Sequence, residues 1–141
     1  MKKYIFLIIV FSVAIFSSCS DYVNCSTYDF SDCPFDEPVS SDLYIEITID
    51  EENDSVPVEF YIGRVEDGIL DTAFIATENE YIFELPVNEY YSAKAEYISH
   101  GKKVFAIDGG EMRTYQTTKC DEYCWEIEGD VINIKLKYEG E

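Results

Sequence analysis

Apolar and polar residues alternate along the chain from residue 43 onward, the pattern of strands that bury one face. The stretch LYIEITID shows the alternation most clearly and directs four aliphatic side chains to one face: Leu43, Ile45, Ile47 and Ile49. The next run, VPVEFYIGRV, directs three side chains inward in the same way: Val58, Phe60 and Ile62. Two half-buried strands therefore open the predicted folded region.

Further alternating runs follow at short, regular intervals, and none of the windows after the N-terminal segment shows the three- and four-residue apolar spacing of a helix. The predicted strands lie at 69–76, 81–85, 90–99, 103–107, 112–118, 125–127 and 131–138. Gly68 ends a predicted turn, Glu66-Asp67-Gly68, where a positive φ suits glycine. The pattern predicts an all-β sandwich of about seven to eight mostly antiparallel strands.

The stretch NEYIFELPVNEYYSAKAEYISHGKK, residues 79 to 103, resembles the prealbumin-like (Ig-like) sandwich of transthyretin-like and carboxypeptidase regulatory-like domains. The matching positions are Tyr81, Phe83, Leu85, Pro86, Tyr90, Tyr91, Ala93, Ala95, Tyr97 and Gly101. Asn88 and Glu89 stand where the family usually has a turn glycine, and Asn tolerates the left-handed conformation. The resemblance implies a fold and brings no catalytic residues with it.

The N-terminus has the features of a bacterial export signal, because Lys2 and Lys3 precede an uncharged, mostly apolar run at 4–16. The run is shorter than the roughly 20 residues of a membrane-spanning helix. Phe16-Ser17-Ser18-Cys19 resembles the bacterial lipobox, which implies that Cys19 is acylated; ordinary secretion is the alternative. We expect a signal peptide at 1–18, a lipidated spacer at 19–40 and a sandwich domain at 41–141.

Five cysteines in an exported chain leave one unpaired, and acylation of Cys19 resolves this count. The other four are expected to form two disulfides in an oxidising compartment: Cys25, Cys33, Cys120 and Cys124. Three connectivities are open. Cross pairing is favoured because residues 20–40 lack a sustained apolar pattern of their own. A zinc site is the less favoured alternative, since the spacings lack C-x2-C pairs.

The chain is strongly acidic, with 10 basic against 29 acidic side chains and a formal net charge of −19. Loss of Lys2 and Lys3 with the signal would make it more acidic still. Such a surface repels phosphate backbones, so we expect no nucleic-acid partner and membrane contact only through the lipid. The envelope, in particular the outer membrane, is the expected location. Asp21 resembles in weak form the acidic export signal of surface lipoproteins in Bacteroides-like bacteria, which leaves surface or periplasmic orientation open.

A catalytic signature is missing from the sequence, and we expect a protein that is not an enzyme and needs no cofactor. His100, the single histidine, lies in a predicted turn. The acidic loop at 50–55 is either a calcium site or a solvated loop without metal. Calcium would be bound by oxygen atoms of four side chains: Asp50, Glu51, Glu52 and Asp54.

Three tyrosines fall on the outward phase of the predicted strands: Tyr44, Tyr61 and Tyr90. Exposed tyrosines bind sugar rings or protein partners, and they also stabilise sheets as cross-strand pairs. The sequence favours a non-enzymatic binding or structural accessory of the envelope with a protein or glycan partner. The alternative is a cell-surface glycan-binding lipoprotein of a polysaccharide-uptake system, and a hydrolase is a distant third.

Overall fold

The computed structural model describes residues 33–137 together with Cys25, Asp29 and Ser31, and within them it is all-β. The proposed lipidation site Cys19 and Tyr138, the last residue of the predicted strand at 131–138, lie outside the described residues. Eight strands are formed there: β1 Ser40–Glu46, β2 Val56–Ile62, β3 Ile69–Ala76, β4 Glu80–Pro86, β5 Glu89–Ser99, β6 Lys102–Lys119, β7 Glu122–Glu128 and β8 Val131–Asn133. This described region contains no helix long and apolar enough to cross a membrane.

The strands form two sheets that face each other across one core. The smaller sheet has the order β4-β1-β8, and the larger has the order β3-β2-β5-β6-β7. Every pairing is antiparallel except that of β1 with β8. The predicted sandwich of about seven to eight mostly antiparallel strands is therefore confirmed.

The core consists of the alternating side chains that the sequence pattern directs inward. Leu43, Ile45 and Ile47 from β1 and its extension are fully buried against Val58 and Phe60 of β2. Each buried aliphatic or aromatic side chain of this size contributes about 1.5–3 kcal/mol by leaving water. The aromatic rings join the sheets, because Phe60 of the larger sheet stacks on Phe83 of the smaller one at 5.5 Å between ring centroids.

Tyr97 of β5 links the two sheets by polar contacts inside this core. Its hydroxyl donates to the Ile134 carbonyl at 2.8 Å and accepts the Thr48 amide at 3.1 Å. Burial raises the pKa of the Tyr97 hydroxyl, so that it stays a neutral donor. Tyr91 makes a similar bond to the Pro86 carbonyl at 2.8 Å. The segment after β8 is thus fixed to the larger sheet by a hydrogen bond as well as by packing.

The structure departs from the sequence prediction at β6, which is one 18-residue strand where two short ones were expected. Asp108, Gly109 and Gly110 continue the strand because the long β5 pairs with them throughout. A Cβ on Gly109 would lie 2.6 Å from the Ser92 Cβ, whereas one on Gly110 would meet no atom within 4 Å. Gly109 therefore permits close approach of two strands and does not mark a break.

Three smaller expectations also fail. Ile62 is 40% exposed because it is the last residue of β2, past an irregularity in the β2–β3 pairing between Phe60 and Tyr61. The turn before β3 exists, but the positive φ belongs to Gly63, and a Cβ on Gly68 would approach the Arg64 carbonyl oxygen to 2.4 Å. The last strand ends at Asn133, although Ile134 remains buried.

The tight turns follow the sequence more closely. Asn88 adopts a φ of 62°, which is the left-handed conformation expected where it replaces glycine. His100 and Gly101 have φ of 52° and 72° and connect β5 to β6, so the histidine lies in a hairpin turn as predicted. Two consecutive positive φ values are typical of the two-residue hairpin turn that matches strand twist.

The N-terminal segment is held to the β6–β7 hairpin by two disulfides. Cys25 pairs with Cys120 and Cys33 pairs with Cys124, at Cα–Cα distances of 5.3 and 5.1 Å. This is the cross-connected arrangement. The Trp125 amide also donates to the Pro34 carbonyl at 3.0 Å. The segment that precedes β1 therefore runs beside β7 before the chain enters the smaller sheet.

Candidate binding surfaces

Tyr44 lies at the centre of the outer face of the smaller sheet. The strand register places Ile82 of β4 on one side of it and Val131 of β8 on the other. Ile82 and Val131 are 54% and 50% exposed, and Tyr44 is half-buried between them. Asp42 and Glu46 flank Tyr44 along β1 on the same face. The result is a flat row of apolar side chains bordered by carboxylates.

Tyr61 and Tyr90 lie on the outer face of the larger sheet, where both already have partners. The Tyr61 hydroxyl donates to Glu59 Oε2 at 2.8 Å, and the Arg64 guanidinium lies 5.1 Å from the centre of the Tyr90 ring. A shallow depression of about 120 Å³ next to Tyr90 is lined partly by Arg64 and Gly109. The two sheets separate these tyrosines from Tyr44, so the three residues do not form one site.

Lys94 forms a charged pair with Glu59 beside Tyr61, with 2.9 Å between Nζ and Oε2. The hydrogen bond from the Lys94 ammonium, helped by the one from the Tyr61 hydroxyl, holds the pKa of the Glu59 carboxyl below its ordinary value. The same contact raises the pKa of Lys94. Both side chains remain partly exposed, at 29% and 41%, so solvent screens the pair.

The acidic loop proposed for calcium is organised by its own hydrogen bonds. Asp50 Oδ1 accepts the Glu52 and Asn53 amides at 3.0 and 2.8 Å, and Asp54 accepts the Ser55 hydroxyl at 2.9 Å. Glu51 and Glu52 are exposed. Among the residues that the structure describes, no three His, Cys, Asp or Glu side chains are grouped to hold a metal ion. The calcium hypothesis stays a prediction.

Asn53 is a structural part of this loop that the sequence interpretation missed. It is buried, and it joins the loop to the end of β5 by two bonds. Asn53 Nδ2 donates to the Ile98 carbonyl at 3.0 Å, and the Ile98 amide donates to Asn53 Oδ1 at 2.7 Å. A side-chain amide can replace a backbone partner in this way at a strand end. The loop is therefore a structural connection between β1 and β5.

A surface groove of about 260 Å³ lies between the first half of β6 and the segment after β8. Val104, Phe105 and Ile107 form one wall, and residues 133 and 135–137 form the other. Phe105 and Ile107 are 51% and 55% exposed. Lys135 and Lys137 line the groove, and Lys102 and Lys103 directly precede its wall residue Val104 on β6. The groove was not predictable from the sequence pattern, because its two walls are about thirty positions apart in the chain.

Comparison with known proteins identifies no relative, since no protein-family model, curated protein or solved structure matches this chain. The structure itself shows an all-β domain of two sheets. Its two disulfides indicate an extracytoplasmic protein, because such bonds persist in oxidising compartments.

Proposed function

We propose that this protein is an envelope lipoprotein, anchored through acyl-Cys19, that acts as a non-enzymatic binding module. In this proposal the outer membrane carries the lipid, and the sandwich is of the prealbumin-like kind that residues 79–103 resemble. The role is to present a binding surface away from the membrane. A protein partner is favoured over a substrate.

The observation that carries the proposal is the position of the two disulfides relative to β6. Cys120 lies in the turn between β6 and β7, so both disulfides hold the N-terminal segment near one end of β6. Cys19 lies six residues before Cys25, and a chain of that length spans at most about 20 Å. A lipid on Cys19 would therefore keep the β6–β7 turn near the membrane.

The groove lies at the other end of the same strand. β6 has 18 residues, which extend over roughly 55 Å at about 3.3 Å per residue. Lys102, the first residue of β6, is consequently far from the disulfides and from the expected membrane surface. An acidic domain is also repelled by anionic headgroups, which keeps its body off the membrane surface.

The test compares membrane proximity at the two ends of β6. A fluorescent amino acid is introduced in place of Tyr123, near the β6–β7 turn, or in place of Lys102, near the groove. Full-length protein is produced in a Gram-negative host and reconstituted in vesicles whose headgroups carry a quencher. We expect strong quenching at position 123 and weak quenching at position 102.

Cys19→Ser is the matched control for this experiment. It removes the only proposed acylation site and leaves the four other cysteines in place. The variant should lose the lipid mass and leave the membrane fraction. Equal quenching at positions 102 and 123, or an unlipidated Cys19 in the wild-type protein, would contradict the proposal.

A second candidate function is glycan binding, and the row around Tyr44 favours it. A flat aromatic side chain between Ile82 and Val131 offers a surface for a sugar ring, while Asp42 and Glu46 offer acceptors for hydroxyl groups. A glycan that binds only the folded protein must raise the melting temperature. We expect Tyr44→Ala to abolish any such shift and Tyr123→Ala to preserve it.

A further inference from the structure

We propose that the first half of β6 accepts an extended, acidic segment of another protein as an added strand. The inference rests on the proposed binding role and names its surface and its class of partner. Strand addition to an open sheet edge is a general mode of peptide recognition, in which main-chain hydrogen bonds provide affinity and side chains provide specificity.

The edge is open because β6 is much longer than the strand beside it. β7 pairs with β6 only from Arg113 to Lys119, whereas β5 pairs with it from Lys102 to Met112. Within residues 33–137, no strand pairs with the other side of this first half. The chain leaves the larger sheet at Gly129 and Asp130 and continues into β8 of the smaller one.

The backbone groups on this open side can be assigned from the pairing. The Gly63 amide donates to the Tyr90 carbonyl at 2.7 Å, so the backbone of Tyr90 faces β2. Because these directions alternate along a strand, Tyr91 and every second residue after it face β6. Their partners are the even-numbered residues from 110 back to 102. Between residues 102 and 108, the odd-numbered residues present N–H and C=O groups to the open side: Lys103, Phe105 and Ile107.

The groove also offers apolar contacts beside these backbone groups. Phe105 and Ile107 are more than half exposed, and Val104 lies next to them. The opposite wall includes Leu136, while the Asn133 amide closes one end by donating to Asp108 Oδ2 at 2.7 Å. An extended segment with an apolar residue at alternate positions matches this arrangement.

The charge distribution indicates an acidic partner. The chain has 10 basic residues; Lys135 and Lys137 line this groove, and Lys102 and Lys103 directly precede its wall residue Val104 on β6. Lys103 pairs with Glu96 and Lys135 pairs with Glu46, at 2.6 and 3.0 Å. Among the described residues Lys102 and Lys137 form no ion pair. Their charges are available to carboxylates of a bound segment.

The same lysines argue against pairing with a second copy of this edge, because like charges would then face each other. Lysines on an edge strand also protect against unwanted association. Protection of the edge and recognition of an acidic partner predict different results when the lysines are removed. Loss of a protective charge promotes self-association, whereas loss of a recognition charge weakens binding of the acidic segment.

The test uses the mature protein purified from membranes in mild detergent and a fluorescent peptide of about eight residues in which Glu and Val alternate. We expect this peptide to bind, and we expect a version with Lys in place of Glu to bind at least about tenfold more weakly. A version with N-methyl groups on alternate amides cannot pair as a strand and should not bind.

Two protein variants test the surface itself. The double variant Lys102→Gln/Lys137→Gln should weaken binding of the acidic peptide about tenfold, while Lys119→Gln at the other end of β6 should leave it unchanged. Ile107→Pro removes an N–H that faces the open side, which an edge strand tolerates, and should abolish binding. Ile107→Ala keeps that N–H and should retain most of the affinity.

Three outcomes would overturn the inference: no binding of the acidic peptide, equal binding of the N-methylated peptide, or self-association of the lysine double variant without loss of peptide affinity. The N-methylated peptide keeps the test decisive if Ile107→Pro does not fold. Binding in the peptide assay does not depend on how the domain is oriented at a membrane. A negative result here together with the expected quenching pattern would therefore leave the tethered orientation intact and remove only this partner.

Discussion

At the scale of single residues, Tyr97 illustrates how a polar group can hold two apolar layers together. Its hydroxyl bonds one carbonyl and one amide from the segments that follow β8 and β1 of the smaller sheet. Tyr97→Phe keeps the ring and removes both bonds, so we expect the free energy of unfolding to fall by about 1–3 kcal/mol. Urea unfolding measures this, with Tyr123→Phe on the exposed surface as the control. Equal stability of the two variants would show that the bonds are dispensable.

Glu59 is the residue from which we expect a measurable pH dependence. Its pKa is lower in the folded protein than in the unfolded chain because the Lys94 ammonium and then the Tyr61 hydroxyl donate to it. Its contribution to stability is therefore complete above the ordinary Glu pKa of 4.5 and is lost as the pH falls through the lowered folded value. Melting temperatures from neutral to acidic pH should fall less steeply for Glu59→Gln than for wild type.

Glu122→Gln is the matched control for that experiment, since Glu122 is exposed at the start of β7. It should leave the slope of melting temperature against pH nearly unchanged. A Glu59→Gln profile parallel to that of wild type would mean that the Lys94 pair is too well screened to contribute.

At the scale of strands, the adjacent glycines of β6 provide a test of close packing between strands. Gly109→Ala would place a methyl group 2.6 Å from the Ser92 Cβ and 2.7 Å from the Tyr91 carbonyl oxygen. We expect it to destabilise the protein by about 1–3 kcal/mol in thermal or urea unfolding. Gly110→Ala meets open space and should be neutral or stabilising by up to about 1 kcal/mol. Similar losses at both positions would refute the packing explanation.

The strands were largely predictable from the sequence because each one buries a single face. Residues 69–76 form β3 with the predicted bounds, since alternation depends only on neighbouring positions. The continuity of β6 was not predictable, because it depends on pairing with β5 that no local pattern records. The assignment of strands to sheets is non-local for the same reason.

The candidate surfaces were also predictable only where they depend on local alternation and not on the pairing of distant strands. Tyr44, Tyr61 and Tyr90 fall on outer faces, as the alternation indicates. Their separation onto opposite sides of the sandwich depends on topology, as does the meeting of Phe105 and Lys137 at one groove. Asn53 was missed because its partner Ile98 is 45 positions away. A site whose residues come from distant segments of the chain can be recognised only once the fold is known.

At the scale of the whole molecule, the disulfides determine how far the N-terminal segment adds to stability. The Cys33–Cys124 bond encloses most of the domain, with a sequence separation of 91, and both cysteines are buried. We expect Cys33→Ala/Cys124→Ala to lose about 2–5 kcal/mol in urea unfolding and to expose residues 34–39 to protease. Cys25→Ala/Cys120→Ala, at the exposed end, should affect stability less. An unchanged midpoint in the first variant would contradict this.

The attachment of the N-terminal segment to the β6–β7 hairpin has a mechanical consequence. A pull transmitted from residues before Cys25 enters the domain at Cys120, through a covalent bond, and bypasses β1. A partner bound at the other end of β6 would place the opposing load on the same strand. The force would then run along the covalent backbone of β6, so that the pairings with β5 and β7 would carry little of it. A lengthwise pull of this kind would therefore leave the pairings between the strands largely unloaded.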